Sequence, residues 1–154
     1  MAHALARLLA GARPVDISFT ATETGIDCAV TSVREPGLPL RTRLAEQLRA
    51  LGLARLSVAG EVIAEVAAPL LRFGRAEVAM PPAAFLQPTA AGERALWEAV
   101  RVGLGRARKV ADLFCGLGPF ALRIAETARV SGFDSDRASV GALQQAARRT
   151  PKLK

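Results

Sequence analysis

The sequence predicts an α/β fold preceded by a small α+β domain, and three observations carry that prediction. Beyond residue 89, helical and short apolar stretches alternate as helix, strand, helix, strand, helix, the pattern of an open and largely parallel sheet. Before residue 80 the apolar runs are short and strand-like, with one helical stripe among them. Between the two, "MPPAAFLQPT" (80–89) breaks the pattern with Pro81, Pro82 and Pro88. The boundary is placed there, giving a first domain over 1–82 and a second over 83–154.

Each element has its own signal. Residues 2–11 have the composition of a short helix. "VDISFTA" sets Val15, Ile17 and Phe19 on one face, and "GIDCAVTS" sets Ile26, Cys28 and Val30 on one face. With "TETG" between them, the two runs predict a hairpin. "REPGLP" (34–39) reads as a loop. "LRTRLAEQLRAL" carries Leu44, Ala45, Leu48 and Leu51 at helical spacing, with Gly52 as a stop. "LARLSVAG", "EVIAEV" and "LLRFGRAEVAM" read as strands punctuated by Gly60, Pro69 and Gly74. In the second domain "AAGERALWEAVRVGL" places Leu96, Trp97, Val100 and Leu104 on one face. "KVADLFCG" and "RVSGFD" are strands, and "PFALRIAETA" is a helix with Pro119 in its first turn. Asp136 is placed to cap a last helix that carries Val140 and Leu143.

At 154 residues the chain has about the length of one average domain. It contains no tyrosine, and only three of its 21 basic residues are lysine. A net charge of +7 suits a polyanionic partner, nucleic acid first, although an arginine-rich surface explains it as well. No run approaches the roughly 18 apolar residues of a membrane span, and "MAHALARLLAGARP" lacks a charged region ahead of its apolar part. A cytoplasmic protein with no membrane partner is therefore expected. Cys28 and Cys115 form no CxxC pair and His3 is the single histidine, so this chain is expected to build no metal site.

"ADLFCGLGPF" (111–120) is the segment with chemistry in it. A strand that runs into G-x-G before a helix lets backbone pass close to a ligand. Gly116, Gly118 and Ala121 also satisfy G-x-G-x-x-A, so a nicotinamide dinucleotide competes as the ligand. Asp134 ends the next strand, 22 residues after Asp112, where a carboxylate can accept ribose hydroxyls in either case. Asp112 discriminates. A pyrophosphate is repelled by an acid ahead of the turn, whereas the cationic amino end of S-adenosylmethionine is attracted. A buried strand followed by a tight turn accounts for the same residues with no ligand at all. Cys115 lies beside a helix start, which would activate a thiol, but no base accompanies it, so it is read as packing. Cys28 is read as core.

Three ordered segments, "PPAAFLQPTAAGERAL", "VADLFCGLGPFALRIAE" and "VSGFDSDRASVGALQQAAR", resemble the SAM-dependent RNA (uracil-5-)methyltransferases that act on bacterial ribosomal and transfer RNA. The region from "ISFTATETGIDCAVT" to "LRFGRAEVAMPP" resembles, more weakly, the domain that precedes the methyltransferase fold in that family. The resemblance implies the N-terminal half of a Rossmann-like methyltransferase fold. It implies that Gln87 contacts the cofactor, that Phe114 lies against it, and that Gly116 and Gly118 form the turn beneath it. Asp112 would meet the amino end and Asp134 the ribose. Pro119 stands where the family has a polar residue, Asp134 replaces a glutamate, and Thr89 replaces an asparagine.

The family methylates carbon 5 of uridine through a cysteine thiolate that adds to carbon 6 and a glutamate base that removes the proton. The segments carrying those two residues do not occur before Lys154, so the chain is expected to be an interior piece, without a catalytic residue and inactive alone. The implied cofactor is S-adenosylmethionine. An iron–sulfur cluster would belong to a longer parent and is not ligated here. The implied partner is RNA, ribosomal first and transfer RNA second, and not DNA. A non-catalytic RNA-binding module and, behind it, a fragment of a dinucleotide-dependent oxidoreductase are the rival readings.

Overall fold

A computed structural model describes residues 15–31 and 35–153. The helix expected over 2–11 and His3 lie outside the described residues. The chain divides into two compact units, one ending at Leu70 and the other starting at Leu71. The compositional break at 82–83 lies twelve residues further on. The reason is packing: Phe73, Ala76, Val78 and Met80 share a core with Leu117, Leu122 and Ala146. The hairpin before the prolines thus buries its apolar side within the second unit.

In the first unit, β1 (Asp16–Thr22) and β2 (Gly25–Thr31) form the expected antiparallel hairpin, with Thr22 opposite Gly25. Helix α1 (Leu38–Ala50) follows, entered from Gly37 with Pro39 in its first turn, where a missing N–H costs nothing. The helix starts two residues inside the segment expected to be loop. It ends at Gly52, whose φ of +66° suits glycine. β3 (Leu53–Val58) lies parallel to β2, and β4 (Glu61–Glu65) lies antiparallel to β3. The sheet order is β1-β2-β3-β4. Cys28, Val30, Leu44, Leu48, Leu53, Leu56 and Val58 form its core. Central position shows in β3, every residue of which is buried. One ion pair is buried with it: Arg55 Nε donates to Asp27 Oδ1 at 2.7 Å across the β2–β3 register.

In the second unit, β5 (Leu70–Phe73) and β6 (Ala76–Ala79) make a hairpin around Gly74. Helix α2 (Ala90–Leu104) is capped by Thr89, whose hydroxyl accepts from the Gly92 N–H at 3.0 Å. β7 (Lys109–Leu113) pairs in parallel with β8 (Arg129–Phe133). Between them α3 spans only Ala121–Ile124, not the whole of 119–128. Backbone bonds from Glu126 to Arg123 and from Thr127 to Ile124 tighten the chain into a turn that delivers it to β8. Helix α4 (Arg137–Arg149) starts as expected, with Asp136 Oδ1 accepting from the Ala138 N–H.

β7 and β8, read in the sequence as strands of an open and largely parallel sheet, are paired in parallel but partly exposed. Leu113 is 65% exposed and Phe133 56% exposed. α2 buries none of its residues although its apolar stripe is present as read. Among the described residues β7 pairs only with β8, so one edge and part of one face have nothing against them.

Candidate cofactor-binding site

The turn after β7 is built by residues that no ordinary strand end requires. Phe114 has φ +63° and is 89% exposed, an unusual state for an aromatic residue both in backbone and in burial. Gly116 and Gly118 have φ +51° and +83°. The two glycines serve different purposes. A Cβ on Gly116 would meet nothing within 4 Å, so its side of the turn faces open space. A Cβ on Gly118 would stand 2.5 Å from Leu143 Cδ1 and 2.9 Å from its Cγ. Gly118 thus packs closely against Leu143 of α4, whereas the Cβ side of Gly116 is open.

Asp134, one residue past β8, holds the turn in place. Its Oδ2 accepts the Gly116 N–H at 2.8 Å and its Oδ1 accepts the Asp136 N–H at 2.8 Å. Those N–H groups keep its carboxyl below the usual carboxylate range, Asp136 contributing most. The backbone N–H groups of Asp136, Gly116 and Ser135 take three of its roughly four accepting positions, so the carboxylate can still accept a further hydroxyl.

Asp112, in the strand itself, is the opposite case. Burial pushes its carboxyl up, the Ala121 backbone N–H opposes that shift, and the charge of Asp134 adds to it. Its Oδ2 is buried without a hydrogen-bond partner among the described residues. A buried carboxylate oxygen with nothing to accept is costly unless a donor or cation arrives. The amino end of an adenosylmethionine is such a cation, so the residues present fit the group.

Cys115 lies between these acids, buried and free, and Gly132 lets its sulfur approach closely: a Cβ there would stand 3.1 Å from Sγ. Burial pushes its thiol up, and Asp112 and Asp134 push it further, so it is a poor nucleophile and packs. Cys28 likewise is core, with its thiol pushed up to about 12 by burial and then by Asp27.

The structure therefore brings Asp112, Gly116 and Asp134 together. Gln87 is half-buried in the segment leading to α2, and its amide makes no hydrogen bond among the described residues. Pro119 contributes its carbonyl, which accepts from Arg123 Nη1 at 2.7 Å. Arg123 went unnoticed in the sequence. Its Nη2 also donates to Glu93 Oε1 at 2.7 Å, and its guanidinium lies 5.5 Å from the Phe73 ring and 5.9 Å from the Trp97 ring. The available signal was an arginine on a helix that otherwise turns apolar residues inward. Among the described residues no group of three or more histidine, cysteine, aspartate or glutamate side chains could hold a metal ion. No described helix is long and apolar enough to cross a membrane.

Compared with known proteins, the chain matches no family model. It is 41% identical over 149 residues to an uncharacterized RNA methyltransferase of Brucella suis, covering 97% of this chain and 36% of that protein. It is 42% identical over 153 residues to another of Mesorhizobium japonicum, covering 99% and 37%. The chain thus spans little more than a third of the curated relatives it matches. Among solved structures, the tRNA (uracil-54, C5)-methyltransferase of Pyrococcus abyssi in complex with S-adenosyl-L-homocysteine superposes with a TM-score of 0.57 at 16% identity. That match covers 80% of this chain and 32% of that one. TYW2 of P. horikoshii in complex with MeSAdo gives a TM-score of 0.55, also at 16% identity, covering 99% and 60%. The fold is that of the Rossmann-like methyltransferases, preceded by a small α+β unit.

Proposed function

We propose that this chain is the cofactor-binding portion of an S-adenosylmethionine-dependent RNA methyltransferase. The single observation that carries the reading is the buried, unpartnered Oδ2 of Asp112 at the carboxyl end of a parallel strand. The relatives named RNA methyltransferases support the same class. In this reading Asp112 meets the amino group, and Asp134 holds Gly116 in place and accepts from the ribose. Gln87 and Phe114 complete the contacts, and Gly118 and Pro119 shape the bend. When bound, the cofactor supplies an electrophilic methyl group on sulfur. The chain's own part is to orient that methyl, a proximity contribution. The covalent step at carbon 6 has no candidate here, since Cys115 is buried and held as a thiol.

The finer reading is methylation at carbon 5 of uridine, in ribosomal RNA first and transfer RNA second, in the cytoplasm. Deleting the gene and analysing nucleosides of each RNA by mass spectrometry checks it: one 5-methyluridine disappears, and an unchanged 5-methyluridine content defeats it. Cofactor class is checked by calorimetric titration of the chain with S-adenosylmethionine, S-adenosylhomocysteine and NAD. Binding of the first two is expected, and tighter binding of NAD overturns the reading.

A further inference from the structure

The opposite end of the β7–β8 pair carries a second, differently built feature. Arg108, Lys109, Thr127, Ala128 and Arg129 line an open hollow of about 460 Å³. Lys109 and Arg129 stand directly opposite each other in the strand register, and the Arg129 N–H donates to the Arg108 carbonyl at 3.0 Å. Like charges facing each other across strands work against pairing. Among the described residues none of these three cations has a carboxylate partner. Elsewhere in this unit Arg72 meets Glu77, Arg101 meets Glu98 and Arg123 meets Glu93. Here, by contrast, three cations line one hollow with no carboxylate among its lining residues.

We propose that this hollow binds the phosphate backbone of RNA. The proposal rests on the methyltransferase reading for its choice of polyanion and adds a contact surface to it. Three cations spread around an open hollow suit successive phosphates better than one small anion. The hollow has no large apolar side chain in its lining, which a membrane surface would require. Lys109 and Leu113 are the ends of one five-residue strand, about 13 Å apart at about 3.3 Å per residue. The hollow and the turn that carries Asp112 and Gly116 therefore lie at opposite ends of the same strand pair.

The test uses the 154-residue chain. A triple variant, Arg108→Gln with Lys109→Gln and Arg129→Gln, is compared with a charge-matched control, Arg137→Gln with Arg148→Gln and Arg149→Gln. Binding of a fluorescein-labelled single-stranded 20-mer RNA is followed by anisotropy between 50 and 200 mM KCl. The slope of log K against log salt is expected to fall by about 2 in the first variant, at roughly 0.7 per phosphate. Its affinity at 50 mM is expected to drop at least tenfold, with a much smaller drop in the control. Equal losses in both variants, no loss in the first, or no RNA binding by the parent chain overturns the proposal. So does loss of binding to phosphatidylserine vesicles with RNA binding intact, which assigns the hollow to a membrane. S-adenosylmethionine titration of the same samples keeps the two readings apart: its failure removes the cofactor assignment and leaves the RNA result readable.

Discussion

Asp112 and Asp134 are two carboxylates whose surroundings pull them in opposite directions. Asp112 is buried and raised, so its ionised form opposes folding once pH passes the ordinary aspartate range near 4. Asp112→Asn is therefore expected to raise the melting temperature at pH 7, and that gain should vanish as pH falls toward 4, where the wild-type group is protonated. The same change should weaken S-adenosylmethionine binding by about tenfold or more, because a charge-assisted contact is lost. Thermal scans against pH and calorimetry check the pair; a variant that loses stability at pH 7 contradicts it. Asp134 has the reverse sign. Its lowered pKa contributes stability that is present above the unfolded value and lost as pH falls through the folded one. The glycines separate as cleanly. Gly118→Ala drives a methyl into Leu143 and keeps an unfavourable φ, costing about 2 kcal/mol or more. Gly116→Ala meets no atoms and should cost about 1 kcal/mol, but it should obstruct the ligand side. Melting temperature and cofactor titration on both variants test that division.

At the scale of elements, Arg123 does what no strand pairing does in the second unit. It ties α3 to α2 through Glu93, holds the Pro119 carbonyl, and stacks near Phe73 of β5 and Trp97 of α2. Pro119 offers no polar side chain, so the turn is anchored through its carbonyl. Arg123→Met should cost about 2 kcal/mol, with Glu93 left half-buried and unpaired. The double variant with Glu93→Gln should cost less than the sum of the two single changes. Additive losses in denaturant unfolding would show that the two side chains act independently. The element boundaries explain what could be read in advance. α2, α4 and the β1–β2 hairpin follow from periodicity and from Asp136 and "TETG", which act locally, whereas the cap by Thr89 emerged only in the structure. The shortness of α3 did not, because the turn at 125–127 is imposed by the need to enter β8.

For the whole molecule, the relevant surface is the apolar one. Leu113, Phe114 and Phe133 at the ends of β7 and β8, and Leu96 and Val102 on α2, are all exposed. β7 pairs with β8 alone among the described residues. An open strand beside exposed apolar side chains is a template for association. The isolated chain is expected to self-associate with rising concentration, despite its net charge of +7. Sedimentation velocity across a hundredfold concentration range checks this; a single monomer species throughout contradicts it.

The sequence by itself determined the order of elements, the glycine turn between two apolar strands, and the pair of acids flanking it. These depend on spacing and on backbone freedom, which are written residue by residue. Only the tertiary structure decided that Gly118 is filled by Leu143 while Gly116 stays open, and that Asp134 holds the turn while Asp112 is left with an unpartnered oxygen. It also decided that Arg123 and the Arg108–Lys109–Arg129 cluster acquire their surroundings. Each of those depends on which side chains from distant positions arrive at the same place, and burial and charge act through that proximity.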